Sequence, residues 1–235
     1  MAGNIGVSPL EYLKNITPKT KVVLELSSFE LEDLKESPEV AIITSIFPDH
    51  LDRYKDLNDY IEAKKPIFQH QNKKDFLVLN YDDPITRKFS SEVNSKIFFY
   101  SQKKIQSGCF LKDNNIFFNG VKEPICDIKD IKLFGRHNVS NVLAAATVAK
   151  ILNVSSKDIK KVLLTFKGVP HRQEFIREVA GVKYFNDTTA TMPAAAKTAI
   201  QVFSERFPKS KLILIAGVVY KKLDYNDLIK EIKSE

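Results

Sequence analysis

The chain has no tryptophan, two cysteines, two methionines and eight glycines in 235 residues. Cys109 and Cys126 lack the clustered spacing of a zinc site. They read as two ordinary thiols in a strand-rich region, kept reduced in a cytoplasmic chain. No apolar run approaches the roughly 20 residues that cross a bilayer, so no membrane span is expected. The first six residues, MAGNIG, carry neither a basic n-region nor an apolar h-region, so a secretory signal is not expected and the location expected is cytoplasmic. There is no internal repeat, no low-complexity tract and no arginine-rich stretch. None of the eight glycines opens a G-x-x-x-x-G-K-[ST] loop, which excludes a triphosphate cradled in that way.

Positive charge is in surplus: 36 Lys and Arg against 29 Asp and Glu, a formal +7 and a pI near 9.2. That balance favours anionic partners such as nucleotides and phosphates. The lysines are scattered, so a nucleic-acid surface is not expected. The composition, 43% apolar and 28% charged, suits one large or two smaller globular domains.

Lys21–Leu26 (KVVLEL), Glu39–Ile46 (EVAIITSI) and Phe76–Asn80 (FLVLN) read as buried strands. A helical pattern covers about Leu57–Gln69. Strands alternating with helices predict an α/β fold with a mostly parallel sheet. Residues 96–134 carry short aromatic runs with Asn-Asn and Asn-Gly turns, and read as a small antiparallel insert. An alanine-rich helix follows at Asn138–Leu152. Ser155 to Asp158 resembles a capping box opening a further helix to about Phe166. Gly168-Val169-Pro170 punctuates the chain and predicts a boundary between domains 1–168 and 169–235. The second part predicts a hairpin around Ala180-Gly181 and a helix after Thr191 with Pro193 in its first turn. It then predicts a buried strand at Lys211–Gly217 (KLILIAG) and a last helix near Tyr225–Lys233.

Polar residues recur at the ends of the predicted strands, where open α/β sheets place ligands. Glu25 interrupts an apolar run. A carboxylate at a buried strand end requires a cation or donors, either a hard ion such as Mg²⁺ or a salt bridge to lysine. His50 can ligate the same ion, donate to a phosphate, or cap a turn with Asp49 and Asp52. Asn138 and Asn141 share a helix face, so they either read a base or Asn138 is an N-cap. Arg172 can fork onto a phosphate or make an interdomain salt bridge.

Taken together these stretches resemble the Mur ligase family. The resemblance lies in AGNIG at 2–6, ELSSFELE at 25–32, PDHLDR at 48–53 and Ala63-Lys64. It continues in GRHNVSN at 135–141, PHRQE at 170–174 and NDTTAT at 186–191. The SSF and HRQE forms favour the D-glutamate-adding branch over the diamino-acid-adding ligases and folylpolyglutamate synthase. The resemblance implies part of a central ATPase domain followed by part of a Rossmann-like carboxy-terminal domain. It implies ATP-dependent amide synthesis for the cell wall: the carboxylate of UDP-N-acetylmuramoyl-L-alanine is phosphorylated by ATP and attacked by the amine of D-glutamate. Glu25 would hold Mg²⁺, His50 would share a second Mg²⁺ with Lys64 as a carbamate, and these three would be the catalytic group. Asn138, Asn141, Arg172 and Asp187 would contact ATP. Asn4 and Ser27 would contact the UDP-sugar, and Thr188, Thr191 and Lys221 the amino acid. A carbamate forms only on a neutral amine, so Lys64 is expected to have a depressed pKa.

The sequence departs from the family at Thr189, where many members have lysine, at Gly217–Lys221 (GVVYK), and at Ser45 and Phe47. The family's amino-terminal domain and phosphate loop have no counterpart here, so this chain alone is expected not to turn over ATP, and a separate chain is a possible source of the loop. Two other readings stand beside the ligase. One is a non-catalytic remnant that binds a nucleotide or protein; the other is a basic module whose aromatic insert stacks bases.

Overall fold

The computed structural model describes residues 2–4, 8–50, 52–105, 107–217 and 224–234. The elements in chain order begin with β1 (Ala2–Gly3), β2 (Leu24–Glu25), α1 (Ser28–Leu31), β3 (Val40–Ile43), α2 (Leu57–Lys64) and α3 (Pro66–Gln69). Next come β4 (Phe76–Asn80), α4 (Pro84–Lys88), β5 (Lys96–Tyr100), β6 (Cys109–Lys112), β7 (Asn115–Phe118) and β8 (Cys126–Asp127). The chain continues with α5 (Arg136–Ile151), α6 (Ser156–Thr165), β9 (Glu174–Val179), β10 (Val182–Asn186), α7 (Pro193–Arg206) and α8 (Asn226–Ser234). Two compact units result. One holds the residues up to Pro124 with Leu143–Val154; the other holds Ile125–Val142 and the residues from Ser155 onward. The chain passes from one to the other within α5.

In the first unit β3, β4 and β5 form a parallel sheet in that order, with Ile43 beside Leu79 and Leu79 beside Phe99. The FLVLN run is its centre, and Leu77, Val78 and Leu79 are fully buried, as expected for a strand covered on both faces. Tyr54, Tyr60, Phe68 and Phe89 pack with Leu77 and Leu79 in one core. The Leu57–Gln69 pattern folds as two helices, because Pro66 offers no N–H to continue α2 and starts α3 instead. The antiparallel insert is smaller than expected. Lys96–Tyr100 belongs to the parallel sheet, since the connection from Asn80 contains a helix and is long enough for a crossover. The hairpin proper is β6–β7, turning at Asp113 and Asn114, both with positive φ.

Lys21–Leu26 also departs from expectation. Only Leu24–Glu25 is strand, paired in parallel with Ala2–Gly3, and Val22 and Val23 are exposed. A valine-rich run reports β-propensity rather than burial. Gly3 is required there: at φ +109° it lies so close to Glu25 that a Cβ would stand 2.1 Å from the Glu25 carbonyl oxygen.

The second unit contains the expected hairpin, β9 against β10, with Ala180 and Gly181 at positive φ. Phe185 is its apolar anchor, with ring centroids 4.5 Å from Phe203 and 5.5 Å from Phe175. Ser155 caps α6 by accepting from Asp158 N at 3.1 Å. Pro193 opens α7 as expected. Residues 211–217 are not a strand, and Ile213 and Ile215 are 72% and 93% exposed. A strand exists only through its neighbours, and among the described residues none pairs with this run. No helix among the described residues is long and apolar enough to cross a membrane.

Candidate functional site

The first unit gathers Glu25, Asp49, His50 and Lys64 from three segments. Glu25 ends β2, and its backbone carbonyl accepts from Asn4 N at 2.8 Å, which places Asn4 beside it. The expectation of a buried carboxylate is corrected. Glu25 is exposed because the strand pair leaves it uncovered, and it makes no salt bridge among the described residues. Ser27 caps α1 in a full capping box: it accepts from Glu30 N at 3.4 Å and donates to Glu30 Oε2 at 2.8 Å.

His50 occupies a tight turn at φ +53°. Asp49 Oδ1 accepts from His50 N at 2.9 Å, and the His50 carbonyl accepts from Arg53 N and Tyr54 N. The imidazole lies 5.0 Å from the Phe29 ring and 6.4 Å from Tyr60. Asp56 caps α2, which carries Tyr60 and Lys64 one turn apart. The Lys64 ammonium rests over the Tyr60 ring at 4.6 Å. Burial holds the Lys64 pKa below its ordinary value, against the opposing pull of Glu25 and Asp49. Burial and the charge of Asp49 push the Tyr60 phenol up.

Lys65 plays no part in lowering Lys64. It points to Glu62 at 2.7 Å and Glu92 at 2.8 Å. Burial alone would lower its pKa, but these two hydrogen bonds outweigh burial and leave it raised.

Among the described residues no group of three or more His, Cys, Asp or Glu side chains is placed to hold a metal ion. The donors present are an exposed carboxylate, a second carboxylate and an imidazole. The two carboxylates are oxygen donors of the type Mg²⁺ takes, one or two from protein with the rest from water and phosphate.

The second unit gathers His137, Asn138, Arg172, Gln173 and Asp187. Asn138 is not an N-cap. It lies inside α5, donates to the Phe134 carbonyl at 2.8 Å and accepts from Asn141 at 3.4 Å, so the two amides share a face. Asp187 Oδ1 accepts from Gln173 N at 3.1 Å. Burial raises the Asp187 pKa, opposed by that bond and by the nearby charges of Arg172 and His137. Burial, then Arg172, lowers the His137 pKa from its ordinary value against the opposing pull of Asp187, and its Nδ1 is buried with no hydrogen-bond partner among the described residues. Arg172 makes no salt bridge among the described residues. Thr188 N donates to Asn186 Oδ1 at 3.0 Å, and Thr189 Oγ1 donates to the His171 carbonyl at 2.8 Å. Thr191 N donates to the Thr189 carbonyl at 2.9 Å. Lys221, with Val218 and Tyr220, lies outside the described residues.

Tyr60, Tyr54 and Glu32 have no role in the motif pattern, and His137 enters only within GRHNVSN. The Tyr60–Lys64 spacing on one helix was a usable signal. Glu32 carried none, since its partners lie 21 and 22 residues away.

Residues 7–149 match the Mur ligase middle domain family, and the chain belongs to that family. It is 42% identical over 231 residues to the UDP-N-acetylmuramoylalanine--D-glutamate ligase of Acetivibrio thermocellus, covering 97% of this chain and 48% of the relative. It is 40% identical over 232 residues to the enzyme of that name from Clostridium kluyveri, covering 98% and 49%. The chain therefore spans about half the length of the curated relatives it matches.

Among solved structures, the fold resembles UDP-N-acetylmuramate-alanine ligase MurC from Thermotoga maritima, with a TM-score of 0.59 and 22% identity over 84% of this chain and 49% of that one. It also resembles a pseudomurein peptide ligase type C from Methanothermus fervidus, at 0.59 and 23% over 79% and 44%. The mixed α/β fold, parallel sheet plus antiparallel hairpins, is that of these ligases.

Proposed function

We propose that this chain is part of an ATP-dependent ligase that joins D-glutamate to UDP-N-acetylmuramoyl-L-alanine in cell-wall precursor synthesis, in the cytoplasm. The observation that carries the reading is the desolvated Lys64 amine, seated over Tyr60 within reach of the charges of Glu25 and Asp49. A lysine kept toward its neutral form is suited to take up CO₂ as a carbamate.

In this reading Glu25 would hold one Mg²⁺, and His50 with the Lys64 carbamate a second; the ions would neutralise charge on transferring phosphate oxygens. Lys64 and His50 are held before substrate arrives, one by the Tyr60 ring and the other by its hydrogen-bonded turn. Asn138 and Asn141 present paired amides to the adenine of ATP, and Arg172 and Asp187 contact the remainder of the nucleotide. Asn4 and Ser27 contact the UDP-sugar. Thr188, Thr191 and Lys221 receive the amino acid. The chain divides functionally near Gly168, into a central part, residues 1–168, and the start of a second ligase domain, residues 169–235.

Pure 1–235 is expected to release no phosphate from ATP, because it contains no G-x-x-x-x-G-K-[ST] loop. Mixing it with a separate polypeptide bearing that loop and the remaining ligase segments is expected to give phosphate release that requires both UDP-N-acetylmuramoyl-L-alanine and D-glutamate. Lys64→Ala is expected to abolish it. No release from a stable mixed complex would count against the ligase reading and favour a binding remnant.

A further inference from the structure

Glu32 lies one residue beyond α1, away from Glu25, His50 and Lys64 in the chain. Its carboxylate nevertheless ties together the ring cluster on which two of them rest. Tyr54 Oη donates to Glu32 Oε1 at 2.6 Å, and Arg53 Nη2 donates to Glu32 Oε2 at 3.0 Å. The two donors both neighbour a single ring. The Arg53 guanidinium lies 4.4 Å from the Phe29 centroid, and Tyr54 stacks on Phe29 at 6.2 Å with planes 16° apart. Phe29 in turn presents its ring to the His50 imidazole at 5.0 Å, with planes 68° apart. Tyr54 also packs against Tyr60 at 5.2 Å, and Tyr60 carries Lys64.

The arrangement has a direct physical reading. Ring–ring contacts are broad and tolerate sliding, so Phe29, Tyr54 and Tyr60 alone would leave His50 a range of positions. Charge-assisted hydrogen bonds are short and directional. One carboxylate that accepts from adjacent residues Arg53 and Tyr54 fixes both neighbours of the Phe29 ring and removes that freedom. We infer that Glu32 is a positioning residue: by holding Arg53 and Tyr54 it locks the ring cluster that seats His50 and Lys64. The inference rests on the reading of His50 and Lys64 as site residues, and touches neither substrate nor metal itself.

The test is NMR of the His50 ring protons in the 1–235 chain, assigned with His50→Asn. Phe29→Leu defines the shifts without the Phe29 ring current. Glu32→Ala is expected to move the His50 signals at least half of the way to the Phe29→Leu position. Glu32→Gln, which keeps an acceptor for Tyr54 and loses the Arg53 ion pair, is expected to move them less. His70, on the turn after α3, reports that the fold persists. If Glu32→Ala fails to fold, Tyr54→Phe and Arg53→Gln carry the same expectation. His50 signals at their wild-type positions in a folded variant overturn the inference. Mn²⁺ added to the wild type separately tests the site: broadening of His50 supports it. Absence of broadening overturns the site reading, and with it the functional meaning of Glu32, even where the ring-proton shifts behave as expected.

Discussion

Thr147→Val should destabilise the chain by about 1–3 kcal/mol, although it changes neither shape nor volume by much. Thr147 is fully buried on α5, the helix whose first turns carry Asn138 and Asn141. Its hydroxyl donates to the Leu143 carbonyl at 2.8 Å and accepts from Cys109 N at 3.0 Å. Valine fills the same space but accepts nothing, so the buried Cys109 N–H is stranded. The Leu143 carbonyl keeps its helical partner, so loss of the second bond adds little. Thr147→Ser retains the hydroxyl and loses one methyl, about 0.8 kcal/mol.

The order of the two variants therefore separates hydrogen bonding from packing. Urea unfolding followed by far-UV circular dichroism reads it directly. With m near 2 kcal/mol/M, a loss of about 2 kcal/mol lowers the midpoint by about 1 M. A valine variant as stable as wild type, or more stable than the serine variant, would refute the reasoning.

Lys64→Met should raise stability most at neutral pH. The unfolded chain binds more protons than the folded one between the lowered Lys64 pKa and the ordinary 10.5, so wild-type stability rises with pH across that window. Urea midpoints in CO₂-free buffer should show the gap between variant and wild type narrowing from pH 7 to higher pH; a constant gap would contradict burial as the cause. Leu79→Ala, at the centre of the sheet and fully buried, should cost about 2–5 kcal/mol, while Leu79→Met should cost under about 1.5; comparable losses in thermal melts would argue against tight packing there. Burial pushes the Cys109 thiol up to about 12 and the Cys126 thiol up to about 11. Both should ignore Ellman's reagent at pH 8 until the chain is unfolded, and fast labelling of the native protein would show that they are open to solvent.

Elements fixed by local chemistry were legible in the sequence. FLVLN gave β4 to the residue, Ser155 gave the start of α6, Pro193 the start of α7, and Ala180-Gly181 the hairpin turn. Elements decided by distant partners were not. KLILIAG and KVVLEL carry the same apolar signal as FLVLN, yet neither is covered among the described residues, and apolar content cannot say whether a neighbour exists. Lys96–Tyr100 pairs in parallel, against the antiparallel expectation, because aromatic content does not distinguish the two. At the candidate site the motifs named Glu25, His50 and Lys64, but the ring cluster beneath them depends on contacts across more than twenty residues. Motif spacing does not encode such contacts.

Lys64 and Lys65 are identical side chains on neighbouring residues, and the fold gives them opposite reactivity. Lys65 is shared between Glu62 and Glu92 and keeps its proton. Lys64, desolvated over a phenol ring, gives its proton up more readily. Only an unprotonated amine has a lone pair to offer an electrophile. A small reagent such as cyanate, at limiting dose, will therefore modify Lys64 ahead of Lys65. The discrimination comes from the roughly 100° turn between successive helix positions, which brings the Lys65 amine into direct ion pairs with Glu62 and Glu92 and leaves the Lys64 amine over the Tyr60 ring.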